Sequence, residues 1–223
     1  MLSKFISAAI LILFGSVAGA APIDPANYTA PIRVACVGDS ITQGAGATAG
    51  QSYPSQLQAL LGDKWQVQNF GVSGRTLLKK GDHPYEKEKA FTNAHEFKPD
   101  VVVIMLGTND TKAQNWVHQD EFYADYKDLV DSFKSLSSSP HIFICRPPPV
   151  PEPGRFGINE TNLQVEIPMI DKIAADENVD IIDIHAALAG KPEMQPDHVH
   201  PNNAGAGVMA QTIAAALTGK STP

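Results

Sequence analysis

A chain of 223 residues, 43% of them apolar, is long enough to bury one core and too short for two comfortable domains. Its 24 acidic residues outnumber its 17 basic ones, for a formal net charge of −7. That balance argues against nucleic acid as a partner, whose phosphates call for the opposite sign.

Residues 1–20 hold Lys4, an apolar run from Phe5 to Val17 and then the small residues Ala18, Gly19 and Ala20. This is the pattern of a secretory signal peptide, cut after Ala20 or Ala21. The run is short for a bilayer core of about 30 Å, so it predicts export to the periplasm or medium rather than a membrane anchor. No membrane association is expected once the signal is removed. Residues 21–31 form a lead-in marked by Pro22, Pro25 and Pro31, and one domain spans 32–218.

Within that domain, short apolar runs alternate with longer amphipathic segments, the pattern of a parallel sheet covered by helices. The expected strands are Ile32 to Val37, Gln66 to Phe70, Val101 to Leu106, His141 to Cys145 and Asp180 to Ile184. Each is too short and too apolar for a surface helix. Helices are expected over Tyr53 to Leu61, Asp120 to Leu136 with Asp120 as N-cap, Glu160 to Asn178 and Asn203 to Leu217. Pro168 should kink the third of these or begin a new segment there. Arg146 to Pro153, rich in proline, reads as a stiff loop. Cys36 and Cys145 fall on the first and fourth strands, which another strand holds roughly 9 to 10 Å apart. A disulfide needs Cα atoms within about 7 Å, so both are expected to be buried free thiols.

Ligands of such sheets lie outside the carboxyl ends of the strands, and the polar motifs fall there. After the first strand stands Gly38-Asp39-Ser40-Ile41-Thr42, which places a serine at a strand-to-helix turn, as either a nucleophile or an ordinary helix cap. Gly71, after the second strand, could aim its N–H at the same cleft or simply make a turn. Asn109, in Gly107-Thr108-Asn109-Asp110 after the third, could donate its side-chain amide or form a turn. Near the C-terminus, Asp197-His198-Val199-His200 puts Asp197 within reach of the His200 imidazole, where a carboxylate fixes the tautomer. His198, at i+1, should face away. Asp39 reads as support for the loop.

Together and in this order, Gly38-Asp39-Ser40, Gly71, Gly107-x-Asn109 and Asp197-x-x-His200 resemble the four blocks of the SGNH (GDSL-type) hydrolases, and the likeness extends over about residues 32 to 217. The one departure is Ile41 where the family name has leucine. The resemblance implies a three-layer α/β/α, flavodoxin-like sandwich with a five-stranded parallel sheet. It also implies Ser40 as nucleophile, His200 as base, Asp197 as its orienter, and an oxyanion hole made by the Ser40 N–H, the Gly71 N–H and the Asn109 side chain. No cofactor is implied. The wording of the blocks is most similar to O-acetylesterases acting on carbohydrate, which makes a small or polymeric ester the expected partner. A short-chain lipase or thioesterase, lysophospholipase-like, is the alternative.

Other readings fit less well. The serine lacks a Gly-x-Ser-x-Gly elbow, since Thr42 stands where the second glycine belongs. Gly44 to Gly50 is glycine-rich but starts too far past the strand, and its final glycine is one position late, for a dinucleotide loop. His198-x-His200 could begin a zinc site, though no further ligand cluster is evident. A non-catalytic binding module would leave the full set of reactive residues unexplained. His83, His95, His118, His141 and His185 read as surface or structural residues. Trp116, Arg75 and Arg146 lie near the cleft end, but packing or ion pairing explains each equally well.

Overall fold

The computed structural model describes residues 22–220; the signal peptide expected over residues 1–20 lies outside them. Five parallel strands form the sheet: β1 (Ile32–Gly38), β2 (Trp65–Gly71), β3 (Val101–Met105), β4 (His141–Arg146) and β5 (Asp180–Asp183), in the spatial order β2-β1-β3-β4-β5. The central strand β3 reads Val-Val-Val-Ile-Met, with all five side chains buried. A strand apolar on both faces needs a helical layer on each side.

The helices supply those layers. In chain order they are α1 (Ser40–Gln43), α2 (Tyr53–Leu61), α3 (Lys89–Glu96), α4 (Ala113–Trp116), α5 (Phe122–Lys134), α6 (Glu160–Glu177), α7 (Ile184–Leu188) and α8 (Asn203–Thr218). Strand periodicity sorts the core into two halves. Val34, Cys36, Val101, Val103, Met105 and Cys145 pack with α2, α7 and α8 on one face. Ala35, Val37, Val102, Ile104, Ile142 and Ile144 pack with α3, α5 and α6 on the other. Each fully buried branched side chain contributes about 1.5–3 kcal/mol relative to exposure. The edge strands β2 and β5 are correspondingly less buried.

The expected strands are all present, with ends shifted by a residue or two; Ile184 opens α7 rather than closing β5. Two helix expectations are corrected. Asp120 is not an N-cap: it lies inside a 3-10 turn, Gln119–Glu121, and α5 begins only at buried Phe122. Pro168 neither breaks α6 nor starts a new segment, because it sits on the solvent side of one continuous helix. Buried Leu163, Ile170 and Ile173, on either side of it, keep the axis on the sheet. Cys36 and Cys145 are buried and free, with β3 between their strands. Burial pushes the Cys36 thiol up to about 12.

All the strands run the same way, so β1, β2 and β3 deliver Ser40, Gly71 and Asn109 to one edge of the sheet. The turn before α8 brings His200 to the same edge.

Candidate active site

Asp39 starts the site. It follows β1 directly, caps α1 by accepting the Ile41 N–H at 2.9 Å, and leaves Ser40 as the first residue of that helix. The N–H of a first helical residue has no preceding turn to bond, so the Ser40 amide is a free donor. The Ser40 hydroxyl lies 2.9 Å from His200 Nε2. On the other side of that ring, Nδ1 lies 2.7 Å from Asp197 Oδ2.

The turn carrying His200 is built by Asp197. Its Oδ1 accepts the N–H groups of Val199 at 3.1 Å and His200 at 2.7 Å, so one carboxylate holds both the backbone and the imidazole. The segment is an irregular turn rather than a helical one, and His198 enters it at φ +66. That left-handed residue directs its ring away, to the Pro151 carbonyl at 3.1 Å. Burial works to raise the Asp197 carboxyl, but the bonds from His200 and Val199 outweigh it and hold the group below the usual range. Asn202 then accepts the Ala204 and Gly205 N–H groups and begins α8.

The glycine-rich stretch Gly44 to Gly50 finds its use here. At Gly46, with φ +89, a Cβ would lie 2.8 Å from the His200 Cβ and from the Pro201 carbonyl oxygen. Only glycine lets this loop lie against the histidine backbone. Thr48 fastens the loop by donating its N–H to Asn203 Oδ1 at 2.8 Å.

Of the expected oxyanion donors, Gly71 and Asn109 reach the site already engaged. The Gly71 N–H donates to Asn69 Oδ1 at 2.8 Å, and Asn69 in turn ties β2 to the Thr42 carbonyl. Asn109 Nδ2 donates to Asp39 Oδ2 and to the Arg75 carbonyl, each at 3.1 Å. Asp39 thus joins the serine turn to the asparagine turn, the supporting role expected of it. Arg75 contributes its backbone here, while its guanidinium pairs with Glu88. Arg146 pairs with Asp171 and Asp183, Trp116 packs on Phe122, and His141 and His185 bond to Asp180 and Glu160. Among the described residues, no group of three or more His, Cys, Asp or Glu side chains could hold a metal ion.

One acidic side chain escaped the sequence reading. Glu166, on α6, is fully buried, and neither of its carboxyl oxygens has a hydrogen-bond partner among the described residues. Its Oε1 lies 1.9 Å from where a Cβ would stand on Gly107, whose φ is +123. The signal was present: Leu163, Glu166, Ile170 and Ile173 occupy one face at helical spacing, so residue 166 had to be inside. Three buried carboxyls therefore underlie the site. Burial lifts Asp39 to about 6 and Asp110 to about 7, the latter also repelled by Asp39, although the Leu77 and Leu78 N–H groups pull it back. Burial raises Glu166 well above the usual range, with the Asp110 and Asp39 charges adding to it.

Residues 36–208 match the GDSL-like Lipase/Acylhydrolase family. An acetylxylan esterase of Xylanibacter ruminicola is 41% identical over 214 residues, an alignment covering 86% of this chain and 44% of that protein. The chain thus spans less than half the length of this relative. Among solved structures, a carbohydrate acetylesterase family member from Sinorhizobium meliloti superposes with a TM-score of 0.70 at 23% identity, over 83% of this chain and 99% of its own. An acetyl xylan esterase gives 0.67 at 24% identity, over 83% of this chain and all of its own. These two superpositions bear on the fold.

The buried acids generate a prediction about stability. Between the unfolded pKa of about 4.3 and its raised folded value, Glu166 keeps a proton that the unfolded chain releases. Wild-type stability is therefore lost as pH rises through that window, by at most about 1.4 kcal/mol per pH unit for one group. Glu166→Gln carries no such loss. In thermal melts from pH 5 to 8, the stability of the variant relative to wild type should increase steadily with pH; a difference independent of pH would show that Glu166 is not held protonated.

Proposed function

The chain belongs to the GDSL-like lipase/acylhydrolase family, and from that premise we propose that it hydrolyses O-acetyl esters carried on carbohydrate. The observation that carries this reading is the continuous chain of contacts from Ser40 Oγ through the His200 ring to Asp197. An acetylxylan esterase at 41% identity supports the choice of acetyl ester and sugar.

In the proposed reaction, His200 Nε2 takes the Ser40 proton as Oγ attacks the acetyl carbonyl carbon. The Asp197 carboxylate, bonded to Nδ1–H, keeps the acceptor nitrogen facing Ser40 and steadies the imidazolium that forms. Negative charge develops on the carbonyl oxygen beside the Ser40 N–H, with the Gly71 N–H and Asn109 amide as the further donors. The last two exchange their present acceptors for the oxyanion, a charged and therefore stronger one. His200 then returns the proton to the sugar oxygen, the C–O bond breaks, and acetyl-Ser40 remains. Water, deprotonated by the same imidazole, attacks the acyl carbon; the bond to Ser40 Oγ then breaks, Oγ takes the proton back from His200, and acetate leaves. No step calls for a cofactor. Export directed by residues 1–20, to the periplasm or beyond, belongs to the same proposal and suits a polymeric substrate.

Acetate release from acetylated xylan, acetylated sialic acid, an aryl acetate and long-chain aryl esters tests this reading. The acetylated saccharides should be good substrates, and Ser40→Ala should lower turnover by about 10⁴-fold or more, with Asp197→Asn at about 10³- to 10⁴-fold. Preference for long acyl chains would favour the lipase or thioesterase alternative. Equal rates for wild type and Ser40→Ala would remove the nucleophile.

Gly46 offers a second check on positioning. Gly46→Ala inserts a methyl group against the His200 backbone, and a displacement of about 1 Å should lower kcat on the order of 10- to 100-fold. Unchanged kcat in the folded variant would mean that this loop does not position the histidine.

A further inference from the structure

The loop between β4 and α6 places an aromatic ring beside the reacting imidazole. Phe156 is 55% exposed, uncommon for so large an apolar side chain in this molecule, and its ring centroid lies 5.7 Å from that of His200. Its backbone is left-handed, at φ +57, a conformation that bulky L residues rarely adopt. The underside of the loop explains how it is held there. Ile158 donates its N–H to the Arg155 carbonyl at 3.0 Å, and its buried side chain packs in a small cluster with Val150, Leu163 and Val199, the residue before His200. The same turn that fixes His200 thus fixes the loop that presents Phe156. The Arg155 guanidinium lies 4.9 Å from the centre of the Phe156 ring and, among the described residues, forms no ion pair.

We propose that Phe156 and Arg155 form the leaving-group subsite, a platform for the sugar ring that bears the ester. This inference rests on the acetylesterase reading. The direction of proton transfer assigns the side of the site. His200 Nε2 must hand its proton to the departing oxygen, so the alcohol portion of the substrate lies against the imidazole, whereas the carbonyl oxygen lies toward Gly71 and Asn109. Phe156 borders the histidine and is itself open to solvent, so it is placed to meet an alcohol portion that approaches the imidazole from outside. A pyranose ring has an apolar C–H face and a rim of hydroxyls. The face fits a flat exposed aromatic ring, and the rim fits unpaired guanidinium donors.

The test compares kcat/KM on an acetylated xylo-oligosaccharide with kcat/KM on ethyl acetate, whose leaving group has no ring, for wild type, Phe156→Ala and Phe156→Trp. The ratio of saccharide to ethyl acetate should fall about three- to tenfold in Phe156→Ala, chiefly through KM, and return toward wild type in Phe156→Trp. Equal losses on both substrates would reduce Phe156 to a positioning element for His200 and overturn the subsite, as would no loss on either. A wild-type enzyme active on ethyl acetate but inert on acetylated saccharides would instead remove the carbohydrate reading, and the subsite with it.

Discussion

The Asp197 carboxylate performs two tasks at once, and the site depends on both. One oxygen gathers the N–H groups of Val199 and His200 and so shapes the turn; the other bonds the imidazole that the turn carries. Backbone position and ring orientation are therefore set by a single group, with His200 left pointing at Ser40 across 2.9 Å. Its neighbours reinforce the arrangement from outside: Gly46 lies against the histidine backbone, and Asn202 caps α8 directly after Pro201. The ordinary mobility of a loop is removed here by hydrogen bonds and close contact. Preorganisation of this kind lowers the reorganisation that the proposed acyl transfer would demand.

Beneath that surface the structure accepts an unfavourable feature. Asp39, Asp110 and Glu166 are buried close together, and burial raises all three. Asp39 and Asp110 receive hydrogen bonds that account for their presence: one joins the Ser40 turn to Asn109, and the other binds the Leu77 and Leu78 amides. Among the described residues Glu166 receives none, yet it abuts Gly107 at the head of the turn that carries Asn109. Unmet polar groups concentrated beneath the Ser40–His200 pair fit the general observation that candidate functional sites break the rules obeyed elsewhere in a fold.

Much of this was legible in the sequence because the period of the apolar residues is imposed by the sheet. Val101 to Leu106 is apolar at every position, which only a strand buried on both faces requires. Ser40, Asn109 and His200 could be located because each lies a few residues from the end of a strand or the start of a helix, while their roles came from the resemblance of the four blocks to a known family. Other features were set by tertiary contact. Asp120 has the chemistry of a cap, but burial of Phe122 decides where α5 starts. Pro168 is a helix breaker by propensity, but its exposure on a helix anchored by Leu163, Ile170 and Ile173 makes it tolerable. The engagement of Gly71 by Asn69, and the approach of Phe156 to His200, join residues whose relation no local spacing encodes.

The proposed chemistry requires Ser40 to be the group that His200 activates. A fluorophosphonate, which phosphonylates only an activated hydroxyl, followed by peptide mapping, examines this without reference to any substrate. One adduct per chain is predicted, on the peptide containing Ser40, with labelling greatly slowed in His200→Ala. Labelling at another residue, or equally fast labelling of Ser40 in His200→Ala, would contradict it.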